Sequence, residues 1–144
     1  MQTNPYLMLE GRAEEAIDFY VRALGADVEM MMRVSEAPEM PDGACAGGEG
    51  MPPMPGDKIL HASLRLGASR LMLSDGMCSG RPEFKGVLIS LAVESVPEAQ
   101  RLFDALAEDG QVQMPLGPTF FSPAFGMAAD RFGVGWMVVV EGAA

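Results

Sequence analysis

One amphipathic stretch flanked by short apolar runs occurs twice in this 144-residue chain, in the same order, and that duplication limits the folds open to it. Residues 5–9 are apolar and strand-like. Residues 13–24 (AEEAIDFYVRAL) then switch to helical spacing, with Ala16, Ile17, Phe19, Tyr20, Ala23 and Leu24 on one face and Glu14, Glu15, Asp18 and Arg22 opposite. Gly25 provides the stop, because it tolerates the left-handed conformation that ends a helix. Strands are expected over 28–34, 58–66 and 69–75, the last two forming a hairpin at Gly67-Ala68.

The second half repeats the order. A strand is expected over 87–93 and a helix over 96–107, started by Ser95 as cap with Pro97 and Glu98 in the first turn. Strands over 112–114, then, after a loop with Pro115, Gly117, Pro118 and Pro123, over 126–129 and 135–140 complete it. Glu15-Ala16 and Glu98-Ala99 lie 83 residues apart, as do the strand starts Pro5 and Leu88. The chain thus reads as βαβββ twice: one α+β domain built from two modules, about 1–76 and 86–144. A lone module leaves one sheet face bare, so two curled mixed sheets are expected to pair around a cleft. Residues 38–58 break the symmetry; they hold five prolines and five glycines and read as a long loop.

Charge and composition exclude several functions. The net charge is −10 with no cluster of Lys or Arg, which argues against nucleic acid and anionic membrane as partners. No apolar run reaches the length of a membrane span, and the first residues lack the basic start of a secretion signal, so a cytoplasmic location is expected. Two cysteines, Cys45 and Cys78, make no disulfide framework; Cys78 is expected as an exposed loop thiol. The single histidine, His61, limits acid–base and metal chemistry.

Strand alternation sorts the side chains. Leu60, Ala62, Leu64 and Leu66 are expected to face the helix, which turns Ile59, His61, Ser63 and Arg65 to the cleft. Leu71 and Leu73 likewise leave Arg70, Met72 and Ser74 inward. In the second half Leu88, Ser90, Ala92, Met137 and Val139 face the cleft, and Trp136 and Val138 lie outside or at an interface. Phe120, Phe121 and Phe125 are expected to cap it.

The segments Asn4-Pro5-Tyr6-Leu7, Ala13-Glu14-Glu15-Ala16-Ile17-Asp18-Phe19-Tyr20, Ala23-Leu24-Gly25-Ala26 and Asp57-Lys58-Ile59-Leu60-His61-Ala62 resemble the PhnB-like branch of the vicinal oxygen chelate superfamily. So do Leu71-Met72-Leu73-Ser74-Asp75, Met114-Pro115-Leu116 and Asp130-Arg131-Phe132-Gly133-Val134-Gly135-Trp136-Met137. The superfamily includes glyoxalase I, bleomycin-resistance proteins and extradiol dioxygenases. The resemblance implies paired βαβββ modules around a cleft, a homodimer, and in glyoxalase-type members a divalent metal held by His, Gln or Glu from the first and last strand of each module.

Aligning the helices puts those four positions at Pro5, Met72, Leu88 and Met137, none of which suits a hard cation. The chain is therefore expected to have no cofactor and no metal ligands. The expected function is to bind a small, partly apolar molecule through His61, Ser63, Arg65, Met72, Ser74, Leu88, Ser90, Phe121 and Met137. His61 is the candidate catalytic group for the alternative, a glyoxalase-like or dioxygenase-like enzyme with a weakly held metal. A second alternative is a protein-interaction module using its dimer interface or the 38–58 loop. The methyltransferase label common in this branch finds no glycine-rich nucleotide turn after the first strand, where Leu9-Glu10-Gly11-Arg12 carries one glycine.

Overall fold

The computed structural model describes residues 1–37 and 55–142. The chain divides into two compact units, Met1–Pro82 and Glu83–Ala144. Most of the expected 38–58 loop, together with Cys45, lies outside the described residues. Among the described residues no helix is long and apolar enough to cross a membrane.

The first unit runs β1 (Tyr6–Met8), α1 (Ala13–Leu24), β2 (Asp27–Arg33), a short 3-10 turn (Val34–Glu36), β3 (Ile59–Leu66) and β4 (Ser69–Ser74). Its sheet has the order β1-β4-β3-β2. Only β1 and β4 are parallel; the other neighbours are antiparallel. The second unit runs β5 (Ile89–Val93), α2 (Val96–Ala107), β6 (Gln111–Gly117), β7 (Phe125–Ala129) and β8 (Gly135–Val140), in the order β5-β8-β7-β6. Each sheet therefore has its first and last strands side by side and parallel, with the second strand at the far edge. The fold is α+β, two four-stranded mixed sheets each with one helix.

The two helices start and end 83 residues apart, yet β2 and β6 begin 84 apart. The extra residue sits at the end of α2. Helix α1 stops on Gly25 in the left-handed conformation, whereas after α2 the chain passes through Glu108 and a left-handed Asp109. The helix starts differ as well. Ser95 caps α2 locally, its hydroxyl accepting from Glu98 N. Arg12, at the matching position, offers no cap, and the buried Asp75 takes its place. One Asp75 oxygen accepts from Ala13 N at 2.8 Å and the other from Ile59 N at 2.6 Å, so a single carboxylate ties the start of α1 to β3.

Three sequence expectations are corrected. Ile59 is fully buried and Leu60 only half-buried, the reverse of simple alternation. The β2–β3 register slips between Met32 and Arg33, and a slip of one residue exchanges the faces of the residues beyond it. Trp136 is not outside but fully buried, its indole N–H donating to Asp130 Oδ2 at 2.9 Å. The other oxygen of Asp130 accepts from Phe132 N and Val134 N, so one buried carboxylate organises the β7–β8 turn. Finally, β6 continues through Pro115, which an edge strand tolerates because one row of its hydrogen bonds has no partner strand.

Candidate functional site

The nine candidate binding residues divide between the units. His61, Ser63, Arg65, Met72 and Ser74 belong to the first sheet; Leu88, Ser90, Phe121 and Met137 belong to the second unit.

In the first unit Leu7, Ala62, Leu64, Leu71 and Leu73 are buried on the helix side. Register then fixes what the opposite face carries. Tyr6 lies opposite Met72, Met72 opposite Ser63, and Ser63 opposite Met30, one rung across all four strands. Alongside it, Met8 lies opposite Ser74 and Met32 opposite His61. Arg65 and Arg70 face each other across β3 and β4 at the end of this surface. The five sequence-derived residues of this unit thus share one face, and Tyr6, Met8, Met30 and Met32 join them.

Tyr6 and His61 interact across β4. Their strands are second neighbours, about 10 Å apart. Both side chains lean inward until their rings stack, with centroids 5.5 Å apart and planes 23° from parallel. The Tyr6 hydroxyl lies 3.0 Å from His61 Nδ1. When the phenol donates, the neutral imidazole carries its proton on Nε2 and presents a donor there; when Nδ1 donates, Nε2 is an acceptor. The two serines nearby differ. Ser74 is buried and satisfied, its hydroxyl donating to Met8 Sδ at 3.4 Å and accepting from Gly76 N at 3.1 Å. Ser63 is only 7% exposed, and its buried Oγ has no hydrogen-bond partner among the described residues.

At the end of the face Arg70 donates to both oxygens of Glu29, at 3.1 and 3.4 Å, which holds the Glu29 carboxyl below the usual range. Glu29 occupies the residue left over where the β2–β3 register shifts. Arg65 is exposed and forms no ion pair among the described residues.

In the second unit Ser90, Met137, Met127 and Met114 make the corresponding rung. Ser90 is exposed and Met137 half-buried. Leu88 precedes β5, is partly exposed, and lies against Gly135, where a side chain would overlap it. Phe121 packs edge-on between Phe120 and Phe125, each centroid 5.1 Å away, and Phe120 is almost fully exposed. Cys78 is half-buried rather than exposed, and burial, with the Asp75 charge second, pushes its thiol up.

The register moves one of the positions assigned to metal binding. Tyr6, not Pro5, stands opposite Met72, while the Pro5 carbonyl accepts from Met72 N. The side chains on the open face of the first and last strands are then Tyr6, Met8, Arg70, Met72 and Ser74 in one unit, and Ser90, Ala92, Met137 and Val139 in the other. None is a carboxylate, amide or imidazole, so this donor set does not fit a hard divalent cation. Among the described residues no three His, Cys, Asp or Glu side chains are grouped to hold an ion.

Tyr6, Met8, Met30 and Met32 were missed as candidate site residues. Leu7 in the core face would have placed Tyr6 and Met8 opposite, but the unbroken Met30-Met31-Met32 run hides which sulfurs share a face.

The comparisons with known proteins agree with this architecture. Protein YjdN of Escherichia coli (strain K12) is 38% identical over 143 residues, covering 97% of this chain and 95% of its own length. The crystal structure of protein PA1353 from Pseudomonas aeruginosa is 44% identical with a TM-score of 0.80, covering 98% of each chain. A Bacillus cereus structure described as a putative 3-demethylubiquinone-9 3-methyltransferase, PhnB protein, is 27% identical with a TM-score of 0.73, covering 97% of this chain and 99% of that one. The profile of the Glyoxalase/Bleomycin resistance protein/Dioxygenase superfamily matches residues 3–138, and the chain belongs to that superfamily.

Proposed function

We propose that this protein binds a small, partly apolar molecule on the open face of its first sheet, without the hard-metal site of glyoxalase-type relatives. The observation that carries the reading is Ser63. A buried hydroxyl with no partner costs about 1–3 kcal/mol, and here it sits between Met30 and Met72 and beside the Tyr6–His61 pair. Methionine side chains adapt to differently shaped ligands, and a few placed polar groups orient them, which is the usual make-up of a small-molecule site. A homodimer is part of the proposal, on superfamily membership alone.

Mass spectrometry of freshly purified protein tests it. A co-purified small molecule that is lost on Ser63→Ala supports the reading. Stoichiometric bound metal that disappears on His61→Ala overturns the metal-free part.

The 3.0 Å contact between Tyr6 and His61 favours a second reading, in which His61 Nε2 moves a proton on the bound molecule while Tyr6 fixes the tautomer. Turnover lost in both His61→Gln and Tyr6→Phe, with ligand binding retained, is the expected signature.

A further inference from the structure

Resting on the binding reading above, we infer the class of the ligand: an aromatic carboxylate, its ring on the methionine thioethers and its acid group at Arg65. The acid end follows from charge. Arg65 and Arg70 stand directly opposite each other, an arrangement of like charges that costs stability in a sheet unless anions answer it. Glu29 hydrogen-bonds only one of them, Arg70, through both its oxygens, and acts on Arg65 through charge alone. Asp27 is opposite Arg65 in register but forms no ion pair with it. The exposed Arg65 guanidinium therefore has no carboxylate on its paired N–H donors among the described residues, and such a fork receives a carboxylate through two parallel hydrogen bonds. In a chain of net charge −10, an anionic ligand needs such a local cation to be held at all.

The spacing supplies the body. Ser63 and Arg65 are alternate residues on one face of β3, in an unbroken register with β4 from Ala62 to Leu66. Alternate residues on a strand are about 7 Å apart, close to the roughly 6.4 Å between a para hydroxyl oxygen on a benzoate ring and its carboxylate oxygens. A ring lying between them rests on Met30 and Met72, the neighbours of Ser63 on either side. Thioether sulfur prefers aromatic over saturated partners, and the stacked Tyr6 and His61 rings give the same surface a flat wall. Ser63 Oγ, unpartnered and buried, then bonds a hydroxyl or carbonyl substituent on the ring.

The test uses the full chain with 13C-labelled methionine methyls, titrated with 4-hydroxybenzoate, cyclohexanecarboxylate and benzamide as probes. Expected are ring-current shifts of the Met30 and Met72 methyls with 4-hydroxybenzoate, and an affinity about tenfold or more weaker in Arg65→Gln. Arg65→Lys is expected to recover part of it, and unchanged methyl spectra of the free variants show that both fold. If cyclohexanecarboxylate or benzamide binds this face as well as 4-hydroxybenzoate, or Arg65→Gln leaves affinity unchanged, the ligand class is wrong while the binding reading stands. If no probe shifts those methyls but a co-purified molecule does, the class is again wrong. If neither shifts them, both readings fall together.

Discussion

Ser63→Ala is expected to make the ligand-free protein more stable. Most core substitutions do the opposite, so the sign is informative. The Ser63 hydroxyl is buried with no partner among the described residues, a penalty of about 1–3 kcal/mol relative to a satisfied or absent group. Alanine removes the oxygen and leaves a space of roughly 10–15 Å³, worth only about 0.3 kcal/mol of lost packing. The net effect is a gain of about 1–2 kcal/mol, or a rise in Tm of about 3 °C or more for a chain of this length. Ser74→Ala is the control. Its hydroxyl has two partners, Met8 Sδ and Gly76 N, so the same change should cost about 1 kcal/mol and lower Tm. Scanning calorimetry of the two variants beside the wild type reads both signs in one experiment. If Ser63→Ala lowers Tm as Ser74→Ala does, Ser63 Oγ is satisfied in the folded protein. Its hydroxyl then awaits no ligand.

Three further outcomes are expected. Asp75→Ala leaves Ala13 N and Ile59 N without an acceptor and should cost about 2–5 kcal/mol in urea unfolding, while Asp75→Asn keeps one acceptor oxygen and should cost about half as much; equal losses would show that one of the two bonds is dispensable. Gly126→Ala puts a methyl 2.9 Å from Leu116 Cα and from Phe103 Cε2, so β6 or α2 must shift, at about 1–3 kcal/mol; a neutral result would mean the edge strand yields freely. Glu14 takes two hydrogen bonds from the Arg33 guanidinium, which hold its carboxyl below the usual range. A carboxyl depressed in the folded state adds stability above its unfolded pKa and loses it as pH falls through the folded one. A carboxyl-detected NMR titration should therefore show Glu14 titrating low in the wild type and in the ordinary range in Arg33→Gln, and no change on that substitution would refute the assignment.

Both helices and most strands were legible because their patterns are local. AEEAIDFYVRAL and VPEAQRLFDALA each show a full apolar face, and Ser95 announces the start of α2 within three residues. What stayed hidden depends on distant partners or on lost alternation. Asp75 caps a helix 62 residues before it, and no local signal marks that role. The run GWMVVV is apolar at nearly every position, so period two could not show that Trp136 is the buried side until Asp130 appeared beside its indole. The slip beside Leu60 reversed Ile59 in the same way. At the site, alternation from the leucines placed His61, Ser63 and Arg65 on one face, whereas the Tyr6–His61 pair needed the β1–β4 register, which joins residues 66 apart in sequence.

That parallel pairing has a consequence for how the chain is made. Tyr6 leaves the ribosome 66 residues ahead of Met72, its partner on β4, and its strand stays unpaired until Met72 has been synthesised; in the second unit Ser90 waits for Met137. In both units the earliest strand is the last to be locked in place, and closing so long a loop must precede any gain from the contacts it permits. The nascent first unit therefore carries an exposed Tyr-Leu-Met edge through most of its synthesis. Completion of β4 both pairs that strand and assembles the Tyr6–His61 contact, so the candidate face and the finished sheet arise in the same step.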